Sequence, residues 1–223
     1  MDISILKPKT SEDILETLSS MTVKERVNKL ENILDMKHKE FEAEMIIKSL
    51  KTNINWQNKY GKTPLILACR HDYVNINMVK LLLDTGVCDV NIADKEGFTA
   101  LMCVASNYNK HEIAELLINN GANVNAINKN GETALIRAIK IRNFNVIELL
   151  IKHNCNVNLF NKNSNPPLLE AIDVKQPKIA DLLINAGADI TVKDDDKNTP
   201  LSLACMYAMA STIELIINKL KKV

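Results

Sequence analysis

One short pattern recurs along the chain and limits its fold more than any other feature. The segments "NKYGKTPLILACR", "DKEGFTALMCVAS" and "NKNGETALIRAIK" carry Gly, Thr and Leu in the same order. Aligned on Thr, the pattern has spacings of 36, 34, 33 and 33 residues, at Thr63, Thr99, Thr133, Pro166 and Thr199. A period near 33 residues predicts stacked supersecondary units rather than one globular core.

Each unit contains two apolar stretches, which are "LIRAI" and "VIELLI" in the third unit. Such short stretches do not form stable helices alone, but stacked copies bury their apolar faces in one continuous core. The Thr before the first stretch is suited to cap a helix N-terminus. Gly61, Gly97 and Gly131 suit turn positions with positive φ. We therefore predict an all-α solenoid of helix-turn-helix units.

This pattern resembles the ankyrin repeat family, whose signature is a Gly turn, T-P-L-H-x-A, a helix pair and a G-A-D-V-N hairpin. Thr63-Pro64-Leu65 and Thr199-Pro200-Leu201 match T-P-L, and "GANVN" from Gly121 matches the hairpin entry. The resemblance runs from Asn58 to the C-terminus, although no unit has the family's His. It implies an ankyrin-repeat solenoid with short β-hairpin fingers. Asn91, Asn125 and Asn158 match the hairpin Asn that is hydroxylated in some members of the family. The alternative is that these side chains bond within their own hairpins.

The region before the first full repeat is less regular. "TVKE" has capping-box spacing, and "EAEMIIKSLKTNIN" aligns with "EIAELLINNGANVN", which indicates a degenerate capping repeat. The alternative is a dimerising coiled coil through Val23, Val27, Leu30 and Leu34. The predicted segments are an N-terminal extension with one short helix at 1–22, the capping repeat at 23–57, and five ankyrin repeats at 58–93, 94–127, 128–160, 161–193 and 194–223, the last being a C-terminal cap.

Composition is ordinary for a soluble folded protein, with 46% hydrophobic and 25% charged residues. The net charge of +1 predicts no overall attraction to nucleic acid or to an anionic membrane. No apolar stretch spans a bilayer, and the first residues lack the layout of a secretory signal. We expect a cytoplasmic monomer with reduced, buried cysteines at positions 69, 88, 103, 155 and 205.

Motifs for chemistry are absent from the sequence. There is no phosphate loop, H-E-x-x-H helix or G-x-S-x-G elbow. His71 and His111 are interpreted as solvated loop residues, and the acidic run at 194–196 as turn carboxylates rather than metal ligands. We predict no catalytic residue, no metal site and no cofactor, and therefore no enzymatic activity.

The resemblance implies contact positions at the turn tips and at the outer ends of the first helices, which line a concave groove. From the first repeat to the fifth, these partner-binding residues are Lys59, Tyr60, Lys62, Arg70 and His71; Lys95, Glu96, Phe98, Ser106 and Asn107; Lys129, Glu132, Lys140 and Ile141; Asp173 and Val174; and Asp195, Asp196 and Tyr207. The same positions of the repeats also hold Asn130, Lys162, Asn163, Asn165, Asn198 and Met206.

Two aromatic residues at the tips, Tyr60 and Phe98, are typical of interface anchors, and Ile141 and Val174 add apolar surface. The alternative is that the aromatic rings pack on neighbouring fingers. Charge along the tips changes from basic in the first repeat to acidic in the fifth, which would orient an elongated partner.

The predicted function is a non-catalytic protein–protein interaction scaffold that acts by masking, tethering or competition. A viral or bacterial protein directed at a host, working in the host cytosol, fits the chain, and so does an ordinary cytosolic scaffold. Because the sequence ends soon after "ELIINK", we expect no C-terminal effector module. The alternative is a structural protein that self-assembles through its N-terminal helices or stacked ends.

Overall fold

A computed structural model of the chain describes residues 10–33, 39–50, 53–70, 76–160 and 165–221. These residues form thirteen α-helices and no β-strand, so the all-helical prediction is confirmed and the β character of the fingers is not. The chain divides into two compact units, Met1–Asp94 and Lys95–Val223, called unit 1 and unit 2 below. None of the described helices combines the length and the apolar character needed to cross a bilayer.

Unit 1 contains five of these helices, and they pack as neighbouring layers. Helix α3 contacts both α1 and α2, α4 packs on α2 and on α5, and α5 also packs on α3. Their bounds are α1 Ser11–Ser19, α2 Val23–Ile33, α3 Glu40–Leu50, α4 Pro64–Arg70 and α5 Ile76–Leu83.

The start of α2 has the capping box that its sequence predicts. The Thr22 N–H donates to Glu25 Oε2 at 2.7 Å, and the Glu25 N–H donates to Thr22 Oγ1 at 3.3 Å. Val27 and Leu30 on this helix are completely buried inside unit 1. A coiled coil through these two residues would therefore have to expose the core of the unit. Leu34, the last residue of that seam, lies outside the described residues.

Unit 2 contains four helix pairs in series. The first helices form one row, in which α6 packs on α8, α8 on α10 and α10 on α12, while α7 packs on α9 and α11 on α13. The bounds are α6 Ala100–Ala105, α7 His111–Asn119, α8 Ala134–Lys140, α9 Phe144–Lys152, α10 Pro167–Asp173, α11 Pro177–Asn185, α12 Pro200–Met206 and α13 Ala210–Leu220. This row carries the turns and helix ends on which partner contacts were predicted.

Three of the four first helices in unit 2, α6, α8 and α12, begin with the threonine cap that the repeat pattern predicts, whereas α10 begins after Pro166 without a side-chain cap. The Oγ1 atoms of Thr99, Thr133 and Thr199 accept hydrogen bonds of 3.2–3.3 Å from the N–H three residues further on. Gly97 and Gly131, in the turns that precede two of these caps, have φ of +83° and +82°. The predicted caps and glycine turns are therefore confirmed at these positions.

Replacing Thr133 by alanine removes the cap of α8. We expect the free energy of unfolding to fall by about 1 kcal/mol, since the buried Ile136 N–H loses its acceptor. The conservative change Thr133→Ser keeps an acceptor oxygen and should restore most of this stability. Urea denaturation followed by circular dichroism measures both, and an equal loss in the two variants would contradict the capping role.

The expectation that all five cysteines are buried is wrong. Cys69 and Cys155 are buried, Cys88 and Cys103 are partly buried, and Cys205 is exposed. Cys205 follows the buried residues Leu203 and Ala204 on α12, and the rotation of about 100° per helical residue turns its side chain outward. None of the five cysteines is in a disulfide bond, and burial raises the pKa of Cys155 to about 11.

Candidate protein-interaction surface

The predicted contact residues of unit 1 lie on a turn closed by a buried asparagine. Asn58 Oδ1 accepts hydrogen bonds from the N–H groups of Tyr60 and Lys62, at 2.9 and 3.0 Å. The Tyr60 side chain is 50% exposed. The ammonium groups of Lys59 and Lys62 lie 4.9 and 5.2 Å from its ring centroid. The turn therefore presents an aromatic ring that carries two cations.

This turn is also attached to helix α2. Asn58 Nδ2 donates to Glu31 Oε2 at 2.8 Å, and Lys62 Nζ lies 3.6 Å from Glu31 Oε1. Arg70, at the end of α4, is exposed, and His71 lies outside the described residues. The Tyr60 tip is thus held in place by the helix that sequence reasoning assigned to the capping repeat.

In unit 2 a second asparagine closes the turn before α8 in the same way. Asn128 Oδ1 accepts from the N–H groups of Asn130 and Glu132, at 3.0 and 2.9 Å. The Lys129 N–H donates to the Glu96 carbonyl at 3.0 Å, and the Lys129 ammonium lies 3.7 Å from the Glu96 carboxylate. The two successive turns of unit 2 are therefore joined through their backbones.

The Glu132 carboxylate is the centre of a charged network on this surface. It accepts hydrogen bonds from Lys140 Nζ at 2.7 Å, Arg137 Nη1 at 2.9 Å and Asn128 Nδ2 at 3.1 Å. Burial opposes the charge of this carboxylate, but the bonds and charges of its three partners outweigh burial, so the pKa of Glu132 is lowered. Two predicted contact residues, Glu132 and Lys140, are thus brought together as an ion pair.

Arg137 joins this network to the preceding helix pair. Its Nε donates to the Met102 carbonyl on α6 at 3.1 Å. Its guanidinium carbon lies 4.6 Å from the centroid of the Phe98 ring, which is partly buried. Phe98 is therefore held against a cation at the surface rather than projecting freely into solvent.

Acidic side chains gather near the end of α10. Burial raises the pKa of Glu170; Lys140 opposes this rise, and the negative charges of Asp173 and Glu132 add to it. The pKa of Asp173 is also raised, first by burial and then by the charge of Asp194. These carboxylates lie close enough to disfavour one another's ionisation.

The end of α12 presents apolar and aromatic side chains beside these carboxylates. Met206 is 65% exposed, and Tyr207 is partly exposed. The Lys175 ammonium lies 4.9 Å from the centroid of the Tyr207 ring. Asp195 and Asp196 are exposed in the turn that leads into α12.

The loops after α6 and α8 are joined by hydrogen bonds. Asn143 Nδ2 donates to the Asn107 carbonyl at 2.9 Å, and the Tyr108 hydroxyl donates to the Ile141 carbonyl. Ser106 Oγ donates to the Met102 carbonyl at 3.3 Å. The backbone of this part of the surface is consequently fixed by its neighbours.

The geometry agrees with a comparison with known families. The chain matches the family model described as ankyrin repeats (3 copies) over residues 37–128 and 103–194. Together these matches cover more than half of the 223 residues. The chain belongs to the ankyrin repeat family.

Several viral ankyrin repeat proteins are similar to part of the chain. Ankyrin repeat protein OPG189 of variola virus is 34% identical over 91 residues, which are 40% of this chain and 16% of that protein. The monkeypox virus protein of the same name is 40% identical over 73 residues, which are 33% and 12% of the two chains. The Acanthamoeba polyphaga mimivirus protein L92, also named for ankyrin repeats, is 36% identical over 91 residues, 41% and 21% of the two chains. The matched segments thus span less than a quarter of these relatives.

The structure of this ankyrin repeat protein gives the predicted contact residues that it describes a definite environment, whereas His71, Lys162 and Asn163 lie outside the described residues. Exposed are Lys59, Tyr60, Arg70, Lys95, Glu96, Lys129, Lys140, Asp173, Asp195, Asp196 and Met206. Partly buried are Lys62, Phe98, Ser106, Asn107, Ile141, Val174 and Tyr207, and Glu132 is buried. His111, which was expected in a loop, is instead the exposed first residue of α7, because the helix begins earlier than its apolar pattern indicates.

Sequence reasoning missed two charged residues on the first helices of this ankyrin array, Arg137 and Glu170. Both stand four residues after the aligned Thr or Pro, a position occupied by Leu67, Cys103 and Leu203 in the other repeats. A charged residue in an otherwise apolar row was the signal that could have identified them.

The hairpin asparagines of the ankyrin pattern bond across helix pairs. Asn125 Oδ1 accepts from the Asn156 N–H at 2.7 Å. Asn158 Oδ1 accepts from the Asp189 N–H at 2.8 Å, and its Nδ2 donates to the Gly187 carbonyl at 3.1 Å. The expectation that these side chains bond within their own hairpins is wrong for Asn125 and Asn158, because their amide groups bond to the backbone of the next loop.

Proposed function

We propose that the chain is a non-catalytic protein–protein interaction scaffold. Its partner protein binds the turn tips and the outer ends of the first helices, on the concave surface typical of the family. The observation that carries this proposal is the arrangement of Phe98, Arg137 and Glu132, in which surface aromatic and charged groups are fixed before any partner arrives. Such preorganisation lowers the entropy cost of binding, and aromatic and Arg side chains are frequent interface anchors.

The scaffold would act by masking a partner, by tethering it, or by competing with another ligand. The similarity to proteins of variola virus, monkeypox virus and mimivirus supports a viral origin. In this proposal the protein is directed at a host and works as a monomer in the host cytosol. In this proposal the chain holds a capping repeat and five ankyrin repeats with hairpin fingers, at the boundaries given above. It binds neither nucleic acid nor membrane.

Self-assembly through the ends is the second candidate, and one observation favours it. Ile217 and Leu220 on α13 are 37% and 47% exposed, which leaves apolar surface on the last described helix. The version that uses a coiled coil is disfavoured, since Val27 and Leu30 are buried in unit 1. A mass by light scattering that rises with concentration, and falls on Ile217→Ser with Leu220→Ser, would favour self-assembly.

A pull-down from host-cell lysate tests the scaffold proposal. We expect wild type to retain a partner that the variant Tyr60→Ala, Phe98→Ala, Ile141→Ser loses, because aromatic anchors carry a large share of interface energy. The matched control changes exposed residues of the second helices, Glu115→Ala, Glu148→Ala and Lys178→Ala. All proteins must show the same helical circular dichroism.

The control should retain the partner as strongly as wild type. A band that the control loses and the triple variant of Tyr60, Phe98 and Ile141 retains would move the binding surface to the second helices. That result would contradict the proposal.

A further inference from the structure

Charge pairing is uneven along unit 2. Among the residues described there, the three ion pairs join Lys129 to Glu96 and both Arg137 and Lys140 to Glu132. The cations Lys129, Arg137 and Lys140 are thus already engaged. In the same described part of the chain, no ion pair is made by Glu170, Asp173, Asp195 or Asp196.

These carboxylates share one face with the exposed end of α12. Helix α10 packs on α12, and Asp173 and Met206 are the final residues of these two helices, at equivalent positions of the repeat. Lys175, just after α10, reaches the Tyr207 ring just after α12. We call the surface made by Glu170, Asp173, Asp195, Asp196, Met206 and Tyr207 the α10–α12 face.

Two physical features of this face favour the binding of a partner. Burial first, and neighbouring negative charge second, raise the pKa values of Glu170 and Asp173, although Lys140 partly opposes the rise at Glu170. An incoming cation would relieve this cost of ionisation. Met206, 65% exposed, leaves an apolar side chain in water, and its burial under a partner would stabilise a complex. Negative charge around an apolar anchor is complementary to a basic segment with an apolar residue.

We infer that the α10–α12 face binds a basic peptide segment of the partner protein, in which Lys or Arg residues flank an apolar side chain. The cations pair with Glu170 and Asp173, and the apolar side chain covers Met206. This inference rests on the proposed scaffold function and specifies the partner chemistry for one part of its surface. The exposed carboxylates Asp195 and Asp196 raise the rate of encounter with such a segment.

Selection of a random peptide library displayed on phage, against the full chain at physiological ionic strength, tests this inference. We expect enriched peptides to be basic and to contain an apolar residue between cations. Their dissociation constants, measured by fluorescence anisotropy, should rise about tenfold on Glu170→Gln with Asp173→Asn, as loss of roughly 1.4 kcal/mol implies. The matched variant Glu115→Gln with Glu148→Gln should bind as wild type does, and Met206→Ser provides a second test at an exposed position.

Three results would overturn the inference. They are an excess of neutral or acidic peptides, basic peptides that bind the Glu170, Asp173 variant as tightly as wild type, and no enrichment above a blank surface. These results are distinct from a failure of the proposed function. If the selected peptides are not basic and no longer bind the Tyr60, Phe98, Ile141 variant, the scaffold function stands and only the inference of a basic segment fails. In each case circular dichroism must show that the variant keeps its helices.

Discussion

Replacing Gly97 by alanine is expected to lower the stability of unit 2 by about 2–4 kcal/mol, the largest effect of any single substitution proposed for this chain. The residue has a φ of +83°, where a side chain is disfavoured. An added Cβ would lie 2.9 Å from the Asn128 Cα and 3.2 Å from the Lys129 nitrogen. Both are backbone atoms of the next turn, so relief requires the two turns to separate.

Gly121→Ala is the matched control for this prediction. Gly121 has nearly the same φ, +85°, but an added Cβ would meet nothing within 4 Å. It should therefore show only the backbone cost of about 1 kcal/mol. Urea denaturation followed by circular dichroism compares the two variants. Equal losses for Gly97→Ala and Gly121→Ala would show that the close approach of the turns contributes nothing.

Replacing Glu132 by leucine is expected to cost about 2–3 kcal/mol, because it leaves two cations and an amide without their common acceptor. Most of this cost comes from Arg137 losing its acceptor, since its side chain is only 22% exposed. The Lys140 side chain is 42% exposed and can turn to water. Glu132→Gln keeps the shape and one acceptor oxygen, and should cost about 1 kcal/mol. Glu148→Leu, on the exposed side of α9, should change stability by less than about 0.5 kcal/mol.

The effect of Glu132 also has a defined pH dependence. Its folded-state pKa is lowered, so its contribution is complete above the ordinary glutamate pKa and is lost as the pH falls through the folded value. The difference in free energy of unfolding between wild type and Glu132→Gln should therefore be largest near neutral pH and should become smaller in acid. Denaturation at several pH values measures this. A difference that is the same in acid as at neutral pH would contradict the charged network.

Local backbone features of this fold were predictable from the sequence. The Thr133 cap and the positive φ of Gly97 depend on a few adjacent residues, and the repeat shows the same residues in the same order several times. The buried faces of the helices follow for the same reason, since apolar residues recur with helical spacing. Cys205 was placed wrongly because apolar neighbours in sequence do not say which way one side chain of a helix turns.

The environment of the surface side chains was not predictable, because it depends on contacts between helix pairs. Phe98 was expected as an exposed anchor or as a ring packed on a neighbouring finger, yet its neighbour is Arg137 on a helix of the following pair. Glu132 and Lys140 were both expected at the surface, but their pairing requires the register of the turn on α8. The sequence of a single repeat does not specify contacts that depend on how neighbouring elements pack.

Cations accompany the aromatic residues of this surface. The ammonium groups of Lys59 and Lys62 lie 4.9 and 5.2 Å from the centroid of the Tyr60 ring, and that of Lys175 lies 4.9 Å from the centroid of the Tyr207 ring. A partner that stacks on these rings therefore meets a positive charge beside each of them. Such contacts are sensitive to the exact placement of flexible lysines, which a sequence pattern does not specify.

Hydrogen exchange of the chain with and without its captured partner tests the central claim most directly. Binding on the proposed surface predicts slower exchange of backbone amides in the turns at 95–98, 129–132 and 194–198 and at the C-terminal ends of α8, α10 and α12. Exchange in α9 and α11 should stay unchanged. Protection confined to α9 and α11, with free exchange in the three turns, would contradict the claim that this surface binds the partner.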